Sequence, residues 1–378
     1  MMRDADDLLN ETTLPDTLRE GVRPGLTAAL AAVAAETGLT VAGQDAALAQ
    51  FRHNLQRLSL IAAERALHPE IAAVKIDRPV FILGLPRCGT SLLHAMIGAD
   101  ASVRTPLSWE VAAPSPPPDA ANFETDPRIA AFDAYVAANF QGAWADVLKA
   151  HPVGAKIPQE CGMMLETSFQ SLNLTMLFRL RDYYQWYLRT DMTFGYQVHK
   201  MWLQHLAWRN PRPRWVLKVQ EHAYHLPELL SVYPDAVFIQ PHRDPVTVMA
   251  SICRLLEVIR GAAFAQQDRG ALGEELLRLW NDGQERLMAQ RKADPSVPIH
   301  DMRYQDIAAD PLAAVRAVYE FARIDFTPQA SAAIARWLAV NPADKHGRHA
   351  YRLEDYGLSA DHVRAVYADY INTYQDYL

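Results

Sequence analysis

Between two apolar runs lies Gly84-Leu85-Pro86-Arg87-Cys88-Gly89-Thr90-Ser91. Glycine reaches left-handed backbone angles at little cost, so a loop built on two of them can turn its N–H groups inward, where a helix start adds its own. That is a cradle for an anion, and Arg87 places a permanent positive charge inside it. A Walker A loop would carry lysine at the position of Thr90 to reach the β- and γ-phosphates, with a hydroxyl residue next on magnesium. The lysine is missing. The chemistry expected is therefore binding of a phosphate-containing ligand on a plan other than that of the nucleoside triphosphatases. The alternative is a tight turn whose hydroxyls cap the following helix.

A second cation stands in His242-Arg243-Asp244-Pro245, and Ser251 follows Arg243 by eight residues, about two helical turns. Alone, Arg243 could form a surface ion pair with Asp244 or Glu257. Beside the loop at Gly84 it suggests a second phosphate site. Lys218 ends the run RWVLK and is a candidate for stabilising charge at a sheet edge, the alternative being a surface lysine. Three places offer a proton acceptor. Glu110, in Ser-Trp-Glu shortly after the first loop and helix, is preferred over His222, and Glu160 with His151 in HPVGAKIPQE forms a weaker third option. Glu110 reads equally as a solvated carboxylate at a helix start.

These residues need a scaffold. PVFILG at Pro79 reads as a strand, and Leu92, Leu93, Met96 and Ile97 mark one face of a helix, giving strand, loop, helix. Further strands are predicted at Arg214 to Val219, Ala236 to Gln240 and Pro298 to Met302. Helical stretches separate them, which predicts an α/β fold with a parallel sheet covered on both faces. Asp244-Pro245 and Asp310-Pro311 each pair an N-cap carboxylate with proline at the first helical position. From Thr17 to about Leu67 the chain is Ala- and Leu-rich, broken near Gly38 and Gly43, with Leu48, Phe51, Leu55, Leu58 and Ala62 on one helix face. The expected division is an N-terminal helical segment over 1–76 and an α/β domain over 77–378. A helical, aromatic-rich insertion or lid at about 126–210 interrupts the second part, its aromatics forming either an acceptor pocket or plain core.

Composition narrows the function. The chain has 378 residues, 37 basic and 44 acidic, a formal charge of −7 that argues against a nucleic-acid-coating role. Hydrophobic residues at 50% and charged residues at 21% exclude wholesale disorder. Cys88, Cys161 and Cys253 are odd in number and far apart, matching neither a disulfide framework nor a zinc site. No apolar run reaches membrane-span length and the N-terminus lacks a signal-peptide pattern, so a cytoplasmic protein is expected.

From Pro79 onward the motifs resemble, in order, those of the sulfotransferase superfamily, especially its bacterial sulfotransferase-like proteins, which use 3′-phosphoadenosine-5′-phosphosulfate (PAPS). The matching stretches are GLPRCGTSLL at Gly84, WVLKVQEH at Trp215, RDPVTVMAS at Arg243, MRYQDI at Met302 and KHGRHAY at Lys345. The resemblance implies a P-loop-like parallel sheet flanked by helices. It implies that Arg87, Cys88, Gly89, Thr90 and Ser91 bind the 5′-phosphosulfate, with Arg243 and Ser251 on the 3′-phosphate. By the same resemblance Tyr304 lies near the adenosine, though it reads equally as a core phenol, and Lys345 and Arg348 belong to a segment that closes over the nucleotide. Arg87 and Lys218 would stabilise the charge growing on the leaving group, and Glu110 stands where some members carry a catalytic glutamate. One departure is Val219-Gln220-Glu221-His222, which lacks the proline of the family's usual K-S-P-x-H and has Gln220 where cytosolic relatives place a catalytic histidine. The implied reaction moves a sulfuryl group to a hydroxyl or amine of a small-molecule, lipid or glycan acceptor, leaving 3′,5′-adenosine bisphosphate, with no metal expected. The alternatives are a P-loop kinase-like phosphotransferase and a nucleotide-binding regulator without catalysis.

Overall fold

The computed structural model describes residues 4–142, 153–341 and 351–378. Among these, β1 (Val80–Ile82), β2 (Val103–Arg104), β3 (Arg214–Lys218), β4 (Val237–His242) and β5 (Ile299–Arg303) form one parallel sheet in the order β2-β3-β1-β4-β5. This is the α/β architecture expected. Only β2 was missed, because two residues carry no periodicity to read.

The strands alternate between two apolar layers, as a period of two requires. Phe81 pairs in register with Leu217 on one side and Phe238 on the other, and all three face a core completed by the N-terminal helices and the insertion. Val80, Ile82, Val216, Val237 and Ile239 face the opposite layer, with Leu93 and Ile97 of helix Thr90–Gly98 and Val315 and Val318 of helix Pro311–Ala322. Burial on both faces explains why the strand sequences run almost continuously apolar.

Helix Val41–Leu67 begins where the Thr40 hydroxyl accepts the Gly43 N–H at 2.9 Å, and it buries Phe51, Leu55, Leu58 and Ala62. The helical break falls near Gly38, whereas Gly43 sits within the first turn of this helix. Both predicted Asp-Pro starts are in place: Asp244 accepts from the Val246 N–H at 2.8 Å and Asp310 from the Ala313 N–H at 3.0 Å. In the insertion, Phe169, Tyr183, Tyr187 and Trp202 are fully buried. They belong to the core shared with Phe51 and Phe81.

At the β2 edge a buried ion pair holds the chain as it leaves the sheet. Both Arg104 guanidinium ends meet the Glu110 carboxylate, which also accepts the Leu107 N–H at 2.9 Å, and Arg104 donates to the Leu206 carbonyl at 3.2 Å. Its guanidinium lies 5.1 Å from the Trp215 ring centre. Removing one partner of such a pair strands the other charge out of water. Glu110→Gln is therefore expected to lower stability by about 3 kcal/mol, read as a reduced urea midpoint with an unchanged m-value.

Burial keeps His94, His199, His205 and His222 neutral. His94 and His205 are pushed down to about 4 and His199 to about 3, all chiefly by burial, and burial also holds His222 well below the usual histidine range. Each takes up its proton more readily unfolded than folded, so the stability they lend is lost as pH falls below about 6.5. Glu221 acts oppositely: burial raises it to about 8, so it favours the folded state increasingly as pH falls from 8 toward 4.5. One carboxyl offsets one imidazole. Unfolding free energy measured in urea at pH 7.5, 6 and 5 should accordingly fall across the last interval, at a limiting slope of about 1.4 kcal/mol per pH unit for each net proton.

Candidate functional site

All parallel strands point their C-terminal ends the same way, so the segments leaving β1, β3, β4 and β5 emerge at one edge, where open α/β sheets bind ligands. The segment after β1 is the loop from Gly84. Gly84, Arg87 and Gly89 take φ angles of +105°, +69° and +85°, three left-handed residues in one turn. Space demands both glycines. A Cβ on Gly84 would stand 2.7 Å from the Pro241 carbonyl oxygen, and one on Gly89 would stand 3.0 Å from the Tyr304 ring. Thr90 then opens the helix, with Leu93 N–H donating to the Gly89 carbonyl at 2.9 Å. Close-packed glycines at a helix start fit the phosphate group that the sequence implies. Cys88 is buried and its thiol is pushed up to about 12 by desolvation. It is neither nucleophile nor thiolate, and only its backbone is suited to the cradle.

Arg243 leaves β4 directly beside this loop. It donates to the Arg87 carbonyl at 3.0 Å, and its guanidinium lies 4.0 Å from the centre of the Tyr304 ring. The Arg87 guanidinium is held below its ordinary range by burial and then by the neighbouring Arg243 charge. Two cations that repel each other at a cradle make a natural anion site. Ser251 lies part-exposed on helix Pro245–Arg260, which Asp244 caps.

On the other side, Lys218 at the end of β3 is 2% exposed and donates to the Ser91 hydroxyl at 3.0 Å and to the Glu160 carboxylate. Glu160 is held by its neighbours in the chain: Cys161 N–H donates to the Lys218 carbonyl at 3.0 Å, and Gln159 N–H to the Pro106 carbonyl at 2.7 Å. Its carboxylate keeps 22% exposure, the only predicted base among the described residues that is both beside the loop and reachable.

The structure places two of the expected bases in the interior. Glu110 is 0% exposed and engaged by Arg104, so it braces the sheet edge. His222 is also fully buried, its Nδ1 3.1 Å from the Tyr196 hydroxyl and its ring 4.9 Å from that of Phe81. Neither is brought to the cradle. His151, Lys345 and Arg348 lie outside the described residues. Arg87, Cys88, Gly89, Thr90, Ser91, Lys218, Arg243 and Tyr304 do come together. Among the described residues no group of three or more His, Cys, Asp or Glu is placed to hold a metal ion, and no helix is long and apolar enough to cross a membrane.

Comparison with known proteins extends this picture. Sulfotransferase STF9 from Mycobacterium avium is similar over 98% of this chain and 96% of its own, with a TM-score of 0.89 and 27% identity. Sulfotransferase STF1 from Mycobacterium tuberculosis H37Rv is similar over 97% of both chains, with a TM-score of 0.84 and 29% identity. Among curated proteins, the omega-hydroxy-beta-dihydromenaquinone-9 sulfotransferase Stf3 of Mycobacterium bovis is 25% identical over 258 residues. The match covers 65% of this chain and spans 62% of the length of that relative. Residues 79–328 match the model of the sulfotransferase family. That match spans two thirds of the chain, from β1 past β5, and takes in the loop at Gly84, Glu160, Lys218 and Arg243: the chain belongs to the sulfotransferase family.

Proposed function

We propose that the protein is a sulfotransferase that moves a sulfuryl group from PAPS to a hydroxyl or amine of a small-molecule, lipid or glycan acceptor. The observation that carries this reading is the pair of mutually repelling guanidiniums, Arg87 and Arg243, set at a glycine cradle beside the Lys218–Glu160 ion pair. PAPS supplies an activated sulfuryl group on a phosphate leaving group. The loop from Gly84 to Ser91 holds its 5′ end through backbone N–H groups, the Arg87 charge and the hydroxyls of Thr90 and Ser91. Arg243 and Ser251 take the 3′-phosphate, with Tyr304 stacked on Arg243 at the adenosine side. Lys218 donates a hydrogen bond where negative charge grows, the kind of preorganised electrostatic stabilisation that lowers transfer barriers. Glu160 accepts the acceptor's proton at its carboxylate, a role the sequence had ranked third. Stf3 is an omega-hydroxy-beta-dihydromenaquinone-9 sulfotransferase, which favours a hydroxyl as the acceptor group here. The reading places the protein in the cytoplasm.

Two cation sites imply two ligand phosphates. In thermal-shift titration, 3′,5′-adenosine bisphosphate should stabilise the protein well beyond AMP or ATP at equal concentration. Arg243→Ala should weaken the bisphosphate about tenfold or more and leave the AMP response nearly intact, since charge-assisted bonds to the 3′-phosphate alone are lost. Equal shifts for all three nucleotides would remove the reading.

Removal of a general base commonly costs ~10²- to 10⁴-fold in rate. Glu160→Gln should fall in that range in turnover with radiolabelled PAPS while keeping bisphosphate affinity within about twofold. Near-normal turnover by this variant would assign the proton to another group.

A further inference from the structure

Arg243 follows His242 directly, and the His242 side chain sits in a chain of hydrogen bonds that reaches the far end of the sequence. Its Nε2 lies 2.7 Å from an Asp301 carboxylate oxygen and its Nδ1 2.9 Å from the Tyr370 hydroxyl. A carboxylate only accepts, and Asp301 is held down to about 2, with Arg291 gripping both of its oxygens at 2.7 Å. Nε2 must therefore carry the proton, Nδ1 is the acceptor, and the Tyr370 O–H donates to it. One phenol thus pins the side chain of His242, the last residue of β4, immediately before Arg243. Tyr370 is 1% exposed on helix Ala368–Thr373, and the His242 ring also lies 4.2 Å from that of Tyr374.

We propose that Tyr370 is a positioning residue for Arg243, so that the C-terminal helix sets how strongly the site holds a nucleotide's 3′-phosphate. This rests on the reading of Arg243 as the 3′-phosphate ligand. Arg243 is clamped through its side chain by the Arg87 carbonyl and the Tyr304 ring, and its main chain needs an equally fixed direction for the guanidinium to meet a phosphate without reordering. A neighbouring phenol supplies an internal control. Tyr367, on the same segment, is buried, and its hydroxyl finds no hydrogen-bond partner among the described residues.

The test compares Tyr370→Phe with Tyr367→Phe by calorimetric titration of 3′,5′-adenosine bisphosphate and of AMP, alongside kcat and the KM for PAPS. Tyr370→Phe should weaken bisphosphate binding and raise the PAPS KM about three- to tenfold, with kcat at saturating PAPS and AMP binding within about twofold. Tyr367→Phe should change none of these by more than about twofold. A second pair guards against a folding defect: His242→Asn, whose amide oxygen can stand in for Nδ1 toward Tyr370, should retain more bisphosphate affinity than His242→Gln, which reaches toward Asp301 instead. Wild-type affinity in Tyr370→Phe, an equal loss in Tyr367→Phe, or a fall in kcat with KM unchanged would overturn the proposal. Failure of the underlying reading shows separately, as an unsubstituted protein that binds AMP and the bisphosphate alike.

Discussion

The row in which Phe81 stands between Leu217 and Phe238 is the constraint from which the site follows. Three neighbouring strands share that row and run the same way, so the exits of β1, β3 and β4 have no choice but to meet at one edge. A one-residue slip would turn each strand's core face outward into the opposite layer, which the bulk of two phenylalanines and the buried Val and Ile neighbours forbids. The glycine cradle, the ammonium of Lys218 and the guanidinium of Arg243 are therefore brought together by packing some distance from any of them. The positions of the charges are set before any ligand is considered.

Electrostatics then decides what these exits can hold. Lys218 is nearly removed from water, and a buried ammonium is tolerated only with a partner of opposite charge. Glu160 supplies it from a segment that the insertion lays along the end of β3. Arg87 and Arg243 present the opposite arrangement, two like charges in mutual range. The edge thus sets a close ion pair, Lys218 with Glu160, apart from two guanidiniums in mutual range, Arg87 and Arg243.

The parts legible in the sequence were those with a local signature. Apolar runs gave the strands from β1 and β3 to β5, Asp-Pro pairs gave two helix starts, and glycine spacing with an internal arginine gave the cradle. What escaped was pairing between distant residues. Glu110 looked like an acid near an entrance, yet its partner Arg104 lies on a two-residue strand that no pattern reveals. His222 follows Lys218 by four residues, but a short turn after β3 directs its ring under Phe81 and away from the edge. Glu160 left only a faint signal, a single acid between Pro158 and the apolar stretch that begins at Cys161. Its proximity to Lys218 depends on the Cys161 and Gln159 backbone bonds, which have no trace in residue type.

The N-terminal helices bury their stripe against partners made much later: Phe51 meets Phe169, and both belong to one core with Phe81, Leu217 and Phe238. During synthesis at roughly 5–20 residues per second, the strand that completes this layer follows the end of helix Val41–Leu67 by roughly 9 to 35 seconds. For that interval a long apolar helix face waits on the ribosome without its cover. The same shared core that joins distant segments of the finished molecule thus leaves apolar surface to cover in its nascent chain, the kind of exposure that favours aggregation before folding is complete.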